Sequence, residues 1–189
     1  MSDHLISLVP HKLEFDNPHE VAQTLTAYLI ARKYISATMK NNILSGRYGF
    51  EPGEHYREML VDHDALNQVT RLGLNGVEII STRTIFHGGG NGIDEVLCPA
   101  CQQNNLDATW GAVADDWYKG GGNGRLTCIH CEEEALISDY LFRADTDFRW
   151  AFSNVGISFY NWPPDFRQEF VAELVKMVGV PIITVYTHI

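Results

Sequence analysis

Apolar residues recur along this chain with two different periods, and the periods sort it into helices and strands. Val21, Leu25, Tyr28 and Leu29 fall at helical spacing behind Asn17-Pro-His-Glu20. Asn17 suits a cap, Pro18 the first helical position and Glu20 a capping box, so a helix is predicted from here to near Tyr34. Phe166, Phe170, Leu174 and Met177 form a second stripe, entered through Trp162-Pro-Pro-Asp165 and closed by Gly179 and Pro181. Strand patterns fill other stretches. Residues 5–9 are apolar apart from Ser7, 77–86 follow the Asn75-Gly76 turn signal with a β-branched bias, and 182–187 close the chain. Residues 151–160 alternate, with Ala151, Ser153, Val155, Ile157 and Phe159 on one side and Phe152, Asn154, Gly156, Ser158 and Tyr160 on the other. Between 36 and 75 the pattern is broken by Gly46, Gly49, Pro52 and Gly53. Ala65, Leu66, Val69 and Leu72 then predict a helix beginning near Asp64.

In order, these elements read strand, helix, strand, a cysteine region, strand, helix, strand. The predicted fold class is α+β: a split β-α-β (ferredoxin-like) sheet with helices on one face and an inserted zinc-ribbon module. Residues 1–87 and 149–189 together form one α+β domain, and 88–148 form the inserted subdomain. Residues 77–86 and 151–160 are expected to be antiparallel neighbours, with the inserted module beyond their shared end.

All four cysteines of the chain lie in two Cys-x-x-Cys pairs, Cys98-Pro-Ala-Cys101 and Cys128-Ile-His-Cys131. Each pair forms a tight turn that aims two sulfurs at one point, and two such turns close a tetrahedron around a metal. A redox motif is normally a single pair at a helix start in a βαβ context, so a metal site is the better reading of the doubled pairs. Residues 96–134 resemble the zinc-ribbon class, whose first knuckle typically reads Cys-Pro-x-Cys. The resemblance implies one structural zinc on Cys98, Cys101, Cys128 and Cys131. A rubredoxin-like iron would use the same four sulfurs. Gln102 and Glu132 stand where ribbons typically have glycine, and residues 107–119 and 125–127 are expected to supply the module's strands. His130, inside the second knuckle, is expected to face outward rather than ligate.

The segment Gly-Gly-Gly-Asn-Gly occurs twice, at 88–92 and 120–124. Neither copy continues into a P-loop or a dinucleotide fingerprint, so both are expected to be turns.

Composition narrows the classes. Lys plus Arg number 14 against 24 Asp plus Glu, a formal net charge of −10, which repels nucleic acid and anionic membranes and attracts basic partners. The first ten residues lack a basic n-region, and no run approaches the roughly 18–20 apolar residues of a membrane helix, so a cytoplasmic protein is expected. No nucleophile elbow or His-Glu-x-x-His motif occurs.

The leading expectation is therefore a non-enzymatic zinc-containing interaction module. It presents an acidic, aromatic surface, drawn from Trp110, Trp117, Tyr118, Tyr140, Phe142, Trp150 and Trp162, to a basic protein partner, as an inhibitor, immunity or adaptor protein would. A second reading is a small-molecule-binding protein or enzyme with a pocket near residues 55–71 and 87–92, using His55, Glu58, His63, Asp64 and Arg71. A third, a nucleic-acid-binding zinc ribbon, requires Arg32, Lys33, Lys40, Arg47 and Arg57 to gather on one face.

Overall fold

A computed structural model of the chain describes residues 3–61, 69–88, 92–144 and 148–188. The first strand, β1 (His4–Pro10), leads into helix α1 (Pro18–Ala31), then β2 (Ile35–Asn41), β3 (Tyr48–Pro52) and β4 (Val77–Ile80). Near the end of the chain come β12 (Gly156–Tyr160), helix α3 (Gln168–Val178) and β13 (Ile182–His188). These six strands form one sheet in the order β13-β1-β12-β4-β3-β2, with every neighbouring pair antiparallel. The protein is thus α+β.

The apolar stripes find one core. Leu25 and Leu29 of α1 and Phe170 and Leu174 of α3 pack with Leu8, Val77, Ile157 and Phe159 of the sheet. Helix α1 begins at Pro18, but the Asn17 side chain makes no capping hydrogen bond. The helix stops at Ala31 rather than near Tyr34 because Lys33 turns left-handed at φ 57°, and the Tyr34 N–H then closes the end on the Leu29 carbonyl at 2.9 Å. The predicted 36–75 irregularity is in part the β2–β3 hairpin. Along β2 only Ile35 is buried, so its sequence carries almost no apolar signal. The helix expected from Asp64 falls largely on 62–68, outside the described residues.

Two predicted strands are each broken in the middle. Residues 77–86 divide into β4 and β5 (Thr84–Phe86), and 151–160 divide into β11 (Ala151–Ser153) and β12. The halves still pair antiparallel, β4 with β12 and β5 with β11. Asn154 marks the break: its side chain accepts from the Phe15 N–H at 2.8 Å and donates to the Phe15 carbonyl at 3.0 Å. Beyond this break the chain enters the cysteine region.

That region holds β6 (Glu95–Leu97), helix α2 (Trp110–Tyr118), the hairpin β7 (Arg125–Thr127) and β8 (Glu134–Leu136), and the pair β9 (Leu141–Ala144) and β10 (Phe148–Arg149). Strand β9 also pairs with β6. Residues 107–119, expected to supply strand, are mainly helix. Trp110, Val113, Ala114 and Trp117 recur at helical spacing and pack into a second core with Val96, Leu126, Ile137 and Phe142.

Candidate metal centre

Hairpin geometry brings the four cysteines together. One pair follows β6, and the other joins β7 to β8. The four sulfurs lie within 4.8 Å of one another, with Cys98 Sγ 3.9 Å from Cys131 Sγ and Cys101 Sγ 3.6 Å from Cys128 Sγ. A tetrahedron with metal–sulfur bonds of about 2.3 Å has edges of about 3.8 Å. The cluster could therefore hold a metal ion. Its donors are four sulfurs, a set that suits zinc or iron rather than a hard cation.

The two turns are copies of one another. Cys98 Sγ accepts from the Ala100 N–H at 3.4 Å, and Cys128 Sγ accepts from the His130 N–H at 3.4 Å. The Gln102 N–H reaches the Cys98 carbonyl and the Glu132 N–H the Cys128 carbonyl, each at 3.0 Å. Gln102 and Glu132 adopt φ of 59° and 62°, the left-handed conformation that glycine supplies without cost. Knuckle geometry thus forms without the glycine. Gln102 is partly compensated, because its side-chain amide donates to the Cys98 and Pro99 carbonyls at 3.0 and 3.1 Å.

Asn104 and Asn105, neither singled out by sequence reasoning, join the two turns. Asn105 is fully buried; its Oδ1 accepts from the Ile129 N–H at 2.9 Å, while its Nδ2 donates to the Gln103 carbonyl at 2.9 Å. His130 Nε2 lies 2.8 Å from the Asn104 carbonyl, so that nitrogen carries the proton and the ring faces away from the sulfurs. An asparagine pair after a knuckle has no signature in a single sequence.

The sulfurs are electrostatically unequal. Burial opposes ionisation of Cys128, but the Cys131 and His130 N–H groups outweigh it and bring its pKa down to about 6. At Cys131 the Glu133 N–H favours the thiolate, yet burial and the other sulfurs prevail and push it up to about 12. One thiolate is stable by itself, and four together require a cation.

Most of the expected aromatic surface is interior. Trp117, Trp162, Tyr140 and Phe142 are buried, Trp110 and Trp150 are half-buried, and Tyr118 is exposed. The Trp117 indole N–H donates to Glu14 at 3.0 Å, and the Trp162 N–H donates to the Asn75 carbonyl at 2.8 Å.

The second glycine segment is a helix terminus rather than a hairpin turn. Gly120, at φ 87°, donates to the Trp117 carbonyl at 3.0 Å and Gly121 to the Asp116 carbonyl at 2.9 Å, which closes α2 in a Schellman motif. Arg83 reaches across from the sheet, donating to the Trp117 carbonyl at 2.7 Å and pairing with Glu14. In the first segment, residues 89–91 lie outside the described residues.

Among the described residues the remaining candidates do not converge. His55 faces Glu58 at 3.7 Å on an exposed turn, Arg71 is exposed, and His63 and Asp64 lie outside the described residues. Glu58 lines a cleft with Arg32, Tyr34 and Arg167 instead. Of the basic stretch, Lys33, Lys40 and Arg47 pair with Glu54, Glu51 and Glu78, while Arg32 and Arg57 lie over Tyr34 and Tyr56. Among the described residues no helix is long and apolar enough to cross a membrane. Compared with known proteins, the chain matches no family model, no curated protein and no solved structure.

Proposed function

We propose that Cys98, Cys101, Cys128 and Cys131 hold one structural zinc ion, and that the protein is a non-enzymatic interaction module that meets a basic protein partner through the metal-bearing region. In this reading residues 88–148 are a zinc-ribbon-like insertion in a split β-α-β sheet, with the β2–β3 hairpin added at one edge. The order β13-β1-β12-β4, with α1 and α3 in its connections, supports the sheet assignment. The near-tetrahedral sulfur spacing supports the zinc. Closed four-thiolate sites fold a module and leave no open position for chemistry.

The observation that carries the interaction reading is where the charge lies. Residues 88–148 contain eleven acidic and three basic residues, a net −8 out of −10 for the chain. All three basic side chains are already engaged: Lys119 with Asp115 at 2.7 Å, Arg125 with Glu134 at 3.2 Å and Arg143 with Glu95 at 3.2 Å. Four thiolates around a divalent ion add a further two negative charges. Asp107, Glu132, Glu133 and Asp139 are exposed, and exposed Ile129 and Leu106 supply apolar surface among them. Such a surface steers a basic partner and repels nucleic acid.

Affinity capture from native extract tests this, with the zinc-loaded protein compared against Asp107→Lys/Glu133→Lys, two changes outside the sulfur cluster. Basic proteins are expected to be retained by the wild type, released by salt and lost from the variant. Recovery of the same partners by both proteins would contradict an acidic interface.

A further inference from the structure

The sheet face turned away from α1 and α3 is built in rows. Ile183 lies beside Val9, and Gly156 beside Ile80, making an apolar row. Phe86 covers it so closely that a β-carbon on Gly156 would stand 2.5 Å from the ring. The next row on this face is Val185, Ser7, Ser158 and Glu78, successive partners in register, and the one after it is Thr187, Leu5 and Tyr160. Over these two rows lies a cavity of about 550 Å³, walled by the 81–87 connection, by Tyr118 from α2 and by Arg47 from the β2–β3 connection. That volume falls within the roughly 300–1,000 Å³ of small-molecule sites.

Its floor is polar where a dry core would be apolar. Ser7 and Ser158 are both buried in central strands, with hydroxyls 2.7 Å apart, and the pair retains one O–H and free lone pairs for a ligand. Serines under a wall of protein cost stability unless something polar meets them. Beside them the Tyr160 hydroxyl donates to Glu78 at 2.9 Å, Arg47 donates to the Tyr160 oxygen at 3.1 Å, and Arg47 also pairs with Glu78. Burial, followed by the Glu78 charge, pushes the Tyr160 phenol up to about 12, so it remains a neutral donor.

The charges lining the cavity cancel. Arg47 is matched by Glu78, and Arg83 by Glu14. A cationic ligand would meet two guanidinium groups, and an anionic one would meet Glu78 and the field of the acidic region. Neutral ligands avoid both penalties. The Glu78 carboxylate beside the Arg47 guanidinium offers an acceptor and a donor to neighbouring hydroxyls, while exposed Tyr118 offers a ring for an apolar ligand face.

We propose that this cavity binds a neutral polyhydroxylated small molecule, of saccharide or cyclitol type, with adjacent hydroxyls on Glu78 and Arg47 and further contacts to the Ser7–Ser158 pair. The site is separate from the acidic interaction surface and does not depend on it.

Titration of the zinc-loaded protein followed by amide chemical shifts tests the site, with D-glucose, D-galactose, maltose and myo-inositol as neutral probes and gluconate and glucosamine as charged ones. At least one neutral probe is expected to give saturable shifts confined to Leu5, Ser7, Glu78, Tyr118, Ser158 and their neighbours, with both charged probes weaker by about tenfold or more. Glu78→Gln and Ser158→Val are each expected to weaken binding by about tenfold or more. Ser158 is buried, so if its variant fails to fold, the partly exposed Glu78 carries the test. The proposal is overturned if no neutral probe gives saturable shifts up to about 50 mM. It is equally overturned if the shifts map elsewhere, if gluconate binds as tightly, or if Glu78→Gln binds like the wild type.

Discussion

Glu132 holds a left-handed backbone with no side-chain hydrogen bond to support it among the described residues, in contrast to Gln102. Replacing it with glycine is expected to stabilise the folded protein by about 1 kcal/mol, read from the midpoint of denaturant unfolding, whereas Glu132→Ala should change little. Asn105 makes the opposite case. Truncation to alanine removes the fully buried acceptor of the Ile129 N–H and should cost about 1–3 kcal/mol, with amide exchange accelerating in both knuckles. Acid acts on the same turns: if the sulfurs hold the proposed zinc, protons compete with it for each sulfur, so its affinity should weaken as the pH falls from about 8 to about 6, where Cys128 regains its proton. Competition with a chromophoric chelator measures this, and a flat profile would contradict thiolate ligation. At this scale the cysteines were legible because knuckle spacing is local chemistry. Asn105 was not, because its value depends on a second turn approaching from 24 residues along the chain.

Elements were legible in proportion to how one-sidedly they are buried. Helices α1 and α3 each show a single apolar stripe against the sheet, and both stripes entered the main core. Strand β2 is an exposed edge, so nothing beyond Ile35 in its sequence demands burial. Helix α2 was obscured by the glycines and aspartates around it, although Asp116 and Gly120–Gly121 turn out to form its terminus. The division of 151–160 into two strands depends on Asn154 holding Phe15, a contact spanning 139 positions. Gly156, an unremarked residue in a strand pattern, is where Phe86 rests. Gly156→Ala should destabilise by about 1–3 kcal/mol, and Phe86→Leu in the same chain should recover part of the loss in thermal unfolding. Full additivity of the two changes would show that they do not share a contact.

For the whole molecule, pattern reasoning reached the α+β class and the antiparallel pairing of 77–86 with 151–160, because buried strands and helices must cover one another. It did not reach the polar cavity. Ser7 and Ser158 look like ordinary polar positions until strand register places them side by side. The charge of the chain is likewise a whole-molecule property with a local address, concentrated around the cysteines. If a metal organises that region, its removal should be felt there first. Chelation is expected to broaden amide signals from β6 to β9 before those of β1, β12 and β13, which have a core of their own. The most direct measurement is elemental analysis of freshly purified protein beside its Cys128→Ser variant. About one zinc per chain is predicted for the wild type, with marked loss in the variant. A wild-type protein that is folded and free of bound metal, or a variant that retains its zinc in full, would contradict a metal site made of these four sulfurs.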